Sequence, residues 1–269
     1  MDIERIVDVH THLYSEPDYS VESNLSEYDV ATIAADYVER LEASPVDHAV
    51  AIVMDESLLL DEDSLGELVR KRNTSGLFSL VFLVDPLRED AEQQIERAAE
   101  AGAVGIKLHP YQQKMGDAED FPRIARVLRT AERYDLVTII DAAYGETRMF
   151  NYNGVRLGHA MAKVVDSPIL LAHGGAVKIL DAFSAAVTFD NIYLDTSFSL
   201  PYWEGSSLVQ DYAFAMEKMS MEKWMWGTDM PYMGIEESIE SAESVLTDYD
   251  LTEHTDALFY ENAATLFDL

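Results

Sequence analysis

Eight short apolar runs alternate with helical patterns along the chain, and that alternation limits the folds open to it. The runs are RIVDVHTHL (5–13), HAVAIVMD (48–55), LFSLVFLVD (77–85), AVGIKLHP (103–110), LVTIIDAAY (136–144), PILLAHGG (168–175), NIYLDTSFS (191–199) and KWMWGTDMP (223–231). Each reads as a strand bounded by Gly, Pro, Asp or Asn. Between them, apolar residues fall at helical spacing. Ala91, Ile95, Ala98 and Ala99 share one face; Ile124, Val127, Leu128 and Ala131 another; Ala176, Ile179, Leu180, Phe183 and Val187 a third; Phe259, Ala263 and Leu266 a fourth. Parallel strands need long return connections, so the alternation predicts parallel strands with crossover helices. About eight such units predict a closed (β/α)8 TIM barrel. An open doubly wound sheet would prefer a Gly-rich turn after its first strand, and HTHLYSEP has none. With 269 residues, no Pro-rich spacer and no repeat, residues 1–269 read as a single domain.

Charge narrows the partners. Asp and Glu number 50 against 19 Lys and Arg, a formal net of -31. Such a chain repels nucleic acid and anionic membranes. The acids are not confined to a tail; they interleave with apolar positions, as in EDAEQQIERAAEAG and EESIESAESVL. The expectation is a folded protein with a strongly acidic surface, a pattern that resembles proteins of salt-loving microorganisms. No apolar run approaches the ~20 residues of a membrane span. The opening MDIERIVDVH does not read as a signal peptide. Cys is absent, which excludes disulfides, thiolate metal sites and a cysteine nucleophile. Together these point to a cytoplasmic location.

Polar residues collect where the runs end. Strict alternation in the first run puts Val7, Val9 and Thr11 on a helix-facing side and Asp8, His10 and His12 on the inner side. The same rule turns Lys107 and His109 inward, and places Asp141 with Val137 and Ile139. It lines up His173 with Ile169 and Leu171, and Asp229 with Met225. Asp195 ends the seventh run. Barrel enzymes keep their active sites at these strand ends. A lone strand-end His is most often structural, and a lone Asp there is most often a helix cap. Burying His10, His12, His109, His173 and Asp229 together without partners would be costly, and a divalent cation resolves it. His48, His159 and His254 read as structural or surface residues. The polar segment 14–28 and the segment SLPYWEGSS (199–207) are candidate pocket loops.

DVHTHL (8–13), VGIKLHP (104–110), LAHGGA (171–176), WGTDMPY (226–232) and the ending YENAATLF (260–267) resemble the amidohydrolase superfamily. The similarity is greatest to its branch containing aminocarboxymuconate semialdehyde decarboxylase and related metal-dependent hydrolases. The resemblance implies a distorted barrel with a divalent metal, most often zinc, with manganese or another divalent ion as the alternative. His10 and His12 match its first-strand ligands. Asp229 matches the last-strand aspartate that binds the metal or its water, and His173 a histidine that activates water or polarises substrate. The family often adds a fifth-strand histidine. Here Asp141 stands in that position, either as a substituted ligand or marking a lost one. Lys107 fits mononuclear relatives better than a carboxylated bridge between two metals.

The reaction expected is attack of an activated water on an amide, ester or lactone of a small molecule. Asp229 or His173 would be the base, with His109, Lys107, Tyr144 and Arg148 as substrate contacts. The alternative is decarboxylation of a small unsaturated or aromatic carboxylate. A rival of another class is a degenerate barrel that binds a small ligand without turnover. Histidinol-phosphatase-like domains carry further His and Glu ligands not found here. TatD-like deoxyribonucleases act on a polyanion that this chain would repel. Dimers are common in the resembled family, which allows a homodimer; no sequence feature demands one.

Overall fold

The computed structural model describes residues 3–15, 23–143 and 151–269. Tyr144, Arg148 and residues 16–22 of the first long loop lie outside them. Eight strands form one sheet in sequential order. They are β1 (Val7–His12), β2 (His48–Val53), β3 (Phe78–Leu83), β4 (Gly105–Leu108), β5 (Val137–Asp141), β6 (Ile169–Ala172), β7 (Ile192–Asp195) and β8 (Trp224–Met225). Every neighbouring pair is parallel. The sheet returns on itself through a parallel bridge between Thr11 and Met230. Val9 N donates to Trp226 O at 3.2 Å, and His12 N to Met230 O at 2.7 Å. This is the (β/α)8 TIM barrel that the alternation predicts.

The helices are α1 (Val30–Glu42), α2 (Glu62–Ser75), α3 (Ala91–Glu100), α4 (Pro110–Gln113), α5 (Phe121–Glu132) and α6 (Gly154–Met161), then α7 (Ile179–Thr188), α8 (Ser199–Tyr202), α9 (Leu208–Lys218), α10 (Ile235–Asp248) and α11 (Asn262–Phe267). Local chemistry sets several ends. Asp61 caps α2 by accepting from the Asp63 and Ser64 amides, both at 3.2 Å. Gly76 closes the same helix at φ 68°, a left-handed position that glycine takes without strain. None of the helices among the described residues is long and apolar enough to cross a membrane.

The apolar residues form two layers. Outward-facing strand residues such as Ala51, Phe82, Ile106 and Leu171 pack against the helices. Inward-facing ones fill the barrel: Val7, Val9, Val50, Ile52, Val81, Leu83, Val137, Ile139, Leu170, Ala172 and Met225. Ala263 and Phe267 of α11 join that inner layer and close one end of the barrel.

Three expectations of strict periodicity fail, each for a local reason. Val7 and Val9 belong to the barrel interior rather than to the helix side. The β1–β2 register pairs Asp8 with Ala49 but Thr11 with Ala51, so two residues of β1 oppose one of β2. This bulge resets the alternation. Thr11 then faces outward, its Oγ1 2.6 Å from the Tyr37 hydroxyl and donating to Val50 O at 3.1 Å. Asp8 does not share the face of His10 and His12; it accepts from Thr228 Oγ1 at 2.6 Å and Thr228 N at 3.0 Å, strapping β1 to the segment after β8. In β6, Ile169 and Leu171 face the helices, and His173 departs from the strand at φ 61°. In α7 the buried face is Ile179, Ala182, Ala185 and Ala186, while Leu180 and Val187 are exposed. The small alanines let α7 lie close to the barrel and turn the larger residues out.

Candidate active site

The bulge gives β1 its chemical end. With Thr11 turned out, His10 and His12 both point into the barrel mouth, their ring centroids 5.6 Å apart. Asp229 reaches the same point from the segment after β8, its backbone at φ 68° and its amide donating to His10 O at 2.7 Å. Its Oδ1 lies 3.1 Å from His12 Nε2 and 3.4 Å from His10 Nε2. All three residues are buried. Gly227 packs closely beside them: a Cβ there would sit 3.2 Å from the His10 Cβ and 3.3 Å from its amide nitrogen, a tight fit.

A second set braces the first. Asp195 ends β7 fully buried, its Oδ2 3.4 Å from His10 Nδ1. Its Oδ1 accepts from the His173 and Ser197 amides at 2.8 and 3.0 Å. Ser197 Oγ lies between the two rings, 3.2 Å from His10 Nδ1 and 3.1 Å from His173 Nδ1. With Nδ1 of His10 turned to a carboxylate, Nε2 is the ring atom presented to Asp229.

A third set lies on the β4–β6 side. Asp141 Oδ2 is 3.2 Å from His173 Nε2, 3.7 Å from His109 Nε2 and 3.8 Å from Lys107 Nζ. Lys107 is almost wholly buried and also lies 3.4 Å from His10 Nε2. His109 caps α4, its Nδ1 accepting from the Gln112 amide at 3.3 Å. That leaves its Nε2 as the proton-bearing atom facing Asp141.

The charges settle in complementary states. Burial pushes His10 down, Lys107 adds to this, and the opposing pull of Asp229 does not restore it, so the ring is neutral. Burial would raise Asp229, but the His12 hydrogen bond and the histidines around it hold it below the usual carboxylate range. Burial would likewise raise Asp141, yet His109, His173 and Lys107 hold it well below. His173 goes the other way. Burial disfavours its charge, but the Asp141 hydrogen bond and the charges of Asp229, Asp141 and Asp195 lift it to about 9. Its Nδ1 faces the Ser197 carbonyl at 3.2 Å and its Nε2 faces Asp141, so both ring atoms donate.

His10, His12 and Asp229 therefore present two imidazole nitrogens and an anionic oxygen within metal-ligand spacing. Neutral imidazole and ionised carboxylate are the forms that bind a divalent cation, and the donor set fits one. His10, His173 and Asp195 also lie within that spacing, but Ser197 already joins their donors. Asp141 belongs to neither triplet among the described residues; its oxygen is engaged by His173, Lys107 and His109.

The amidohydrolase family model matches residues 7–269. The chain belongs to the amidohydrolase family. A sequence search of curated proteins finds no match. The fold is shared with an amidohydrolase from Burkholderia multivorans, at 14% identity, with 98% of this chain and 99% of that one covered and a TM-score of 0.71. It is shared with 5-carboxyvanillate decarboxylase from Sphingomonas paucimobilis, at 13% identity, 98% and 99% coverage and a TM-score of 0.66. A dihydroxybenzoic acid decarboxylase from Polaromonas sp. JS666, solved with manganese and the inhibitor 2-nitroresorcinol, matches at 12% identity, 98% and 97% coverage and a TM-score of 0.65. This amidohydrolase-family enzyme brings together, at its strand ends, a His/Asp group that could hold a divalent metal.

Sequence reasoning names His10, His12, Lys107, His109, Asp141, His173 and Asp229, and the fold brings all seven into one mouth. It passes over Ser197 and leaves Asp195 as a strand-end residue without a role. The signal for Asp195 is the NIYLDTS run itself, which ends on a carboxylate as β5 does. Ser197 carries no comparable signal, since a serine after a strand is ordinary loop chemistry.

Proposed function

We propose that the protein is a metal-dependent hydrolase of a small-molecule amide, ester or lactone. The observation that carries this reading is the convergence of His10, His12 and Asp229 opposite a charged His173–Asp141 pair. His10 and His12 would hold the cation through Nε2, with Asp229 as the third donor; zinc suits two imidazoles and one carboxylate, and manganese is the second choice. A divalent cation there supplies Lewis acidity and makes water nucleophilic near neutral pH. Asp229, anionic and at the metal-side face, takes the proton of the attacking water. His173, held as an imidazolium by Asp141, donates to the oxygen on which negative charge develops. Lys107 and His109 line the side where a substrate carboxylate would lie.

A second reading is decarboxylation of an unsaturated or aromatic carboxylate. His173 favours it, because a proton donor that stays charged at neutral pH can protonate carbon before CO2 leaves. Two of the fold relatives are named as decarboxylases.

The test is a panel of lactones, amides, esters and aromatic carboxylates in molar KCl with Zn2+ or Mn2+. Acid release without CO2 supports hydrolysis; CO2 release with solvent deuterium on carbon supports the second reading. About one divalent ion per chain is expected, lost on His10→Ala and Asp229→Ala. Full turnover in both variants would sink both readings, and tight ligand binding by a metal-free chain would indicate a non-catalytic barrel.

A further inference from the structure

Four consecutive residues after β6 have positive φ: His173 at 61°, Gly174 at 56°, Gly175 at 85° and Ala176 at 46°. The glycines accept this without penalty. His173 and Ala176 do not, and Ala176 at ψ -123° lies outside even the left-handed helical region. Such residues are strained and persist where their surroundings over-determine them.

One hydroxyl meets this run at both ends. Tyr212 of α9, 1% exposed, donates to the carbonyl oxygen of His173. The same hydroxyl engages the Ala176 backbone and the Ser199 side chain. Ser199 Oγ also donates to the His173 carbonyl, at 2.9 Å. Between those ends, a Cβ on Gly174 would fall 2.8 Å from Tyr212 Cε1. The Tyr212 ring itself is held against Trp224, centroids 5.9 Å apart. A rigid phenol on α9 therefore contacts the first, second and fourth residues of the segment that turns His173 toward Asp141.

We propose that Tyr212, supported by Ser199, is a positioning residue that fixes the backbone of His173 and so aims its Nε2 at Asp141 and the substrate space. This rests on the reading of His173 as the proton donor, but its structural half is measurable without turnover. Removing both hydroxyls leaves the His173 carbonyl without its two donors. The run relaxes toward ordinary backbone angles, and the ring swings away from Asp141.

The test is imidazole 1H–15N correlation NMR on the full chain, with the His173 signals assigned by their loss in His173→Asn. Tyr212→Phe and the double variant Tyr212→Phe/Ser199→Ala should move or double the His173 ring signals and leave those of His48, His159 and His254 in place. Ser199→Thr keeps a hydroxyl and should leave the spectrum unchanged. If the double variant does not melt cooperatively, Tyr212→Phe alone decides, since it removes only an oxygen. On any substrate found, kcat should fall on the order of tenfold with KM little changed, as misalignment of a reacting group predicts. Unchanged His173 signals in the variants would overturn the proposal, as would equal movement of every histidine, which marks general loosening. Full turnover by His173→Asn would instead defeat the catalytic reading and leave the NMR result standing.

Discussion

At the scale of single residues, the site depends on carboxylates that histidines keep charged. Asp141→Asn retains the shape but removes the charge that supports the His173 imidazolium. Its kcat should drop by about 10²–10⁴-fold, the range for a lost general acid, while bound metal stays near one ion per chain. Metal loss in that variant would place Asp141 among the ligands instead. His48 offers a pH-dependent contrast away from the mouth. Burial lowers its pKa below the ordinary 6.5, against the opposing Gly76 backbone hydrogen bond. The fold therefore favours the neutral ring, whereas the unfolded chain takes up protons from about pH 6.5 downward. At this residue the unfolded state binds more protons in that window, so the contribution of His48 to stability falls as pH drops below it. His48→Gln should remove this one contribution, so that the variant loses less melting temperature than the wild type, or gains more, between pH 7 and 5. A wild-type slope in the variant would reject this.

Elements show where local preference was enough and where tertiary contact overruled it. Seven site residues were legible because strand ends in an alternating chain converge on one mouth whatever the finer geometry. Which side of β1 faced inward was not legible, since the bulge at residues 9 and 10 depends on how β1 seats against β2 and on the Thr11–Tyr37 contact. The backbone turns at His173 and Asp229 escaped for the same reason: they are imposed from Tyr212, Ser199 and β1, not by the residues that adopt them. The α7 face was misread because its large residues point outward and its alanines inward. Two variants probe element ends. Asp61→Ala removes the α2 cap and should cost about 1 kcal/mol in chemical denaturation. Gly154→Ala should cost more, beyond the ~1–3 kcal/mol of ordinary overpacking. Its Cβ would lie 2.0 Å from the Asp141 carbonyl oxygen, so the first turn of α6 or the end of β5 must move. If its melting temperature matches the wild type, that close approach is not a constraint.

For the whole molecule, a formal net charge of -31 is the dominant fact outside the core. It is unevenly spread. Helix α10 carries Glu236, Glu237, Glu240, Glu243 and Asp248 with no basic residue, while α5 carries Arg123, Arg126 and Arg129. Self-repulsion of this size opposes the compact state, and ~3 Å screening at 1 M salt suppresses it. The melting temperature should rise from dilute buffer to molar KCl; an unchanged value would show that the acids are already balanced locally.

The inner layer has a consequence for traffic. Phe267 and Ala263 stopper the barrel opposite the mouth, and valines and isoleucines fill the space between. Among the described residues the apolar filling leaves the end that carries His10 and His12 as the way in, so a cation, substrate and product would share that route. Loading would then be ordered, with the ion entering first and anything seated afterwards standing in its way out. A competitive inhibitor should slow stripping of the ion by a chelator in proportion to its occupancy.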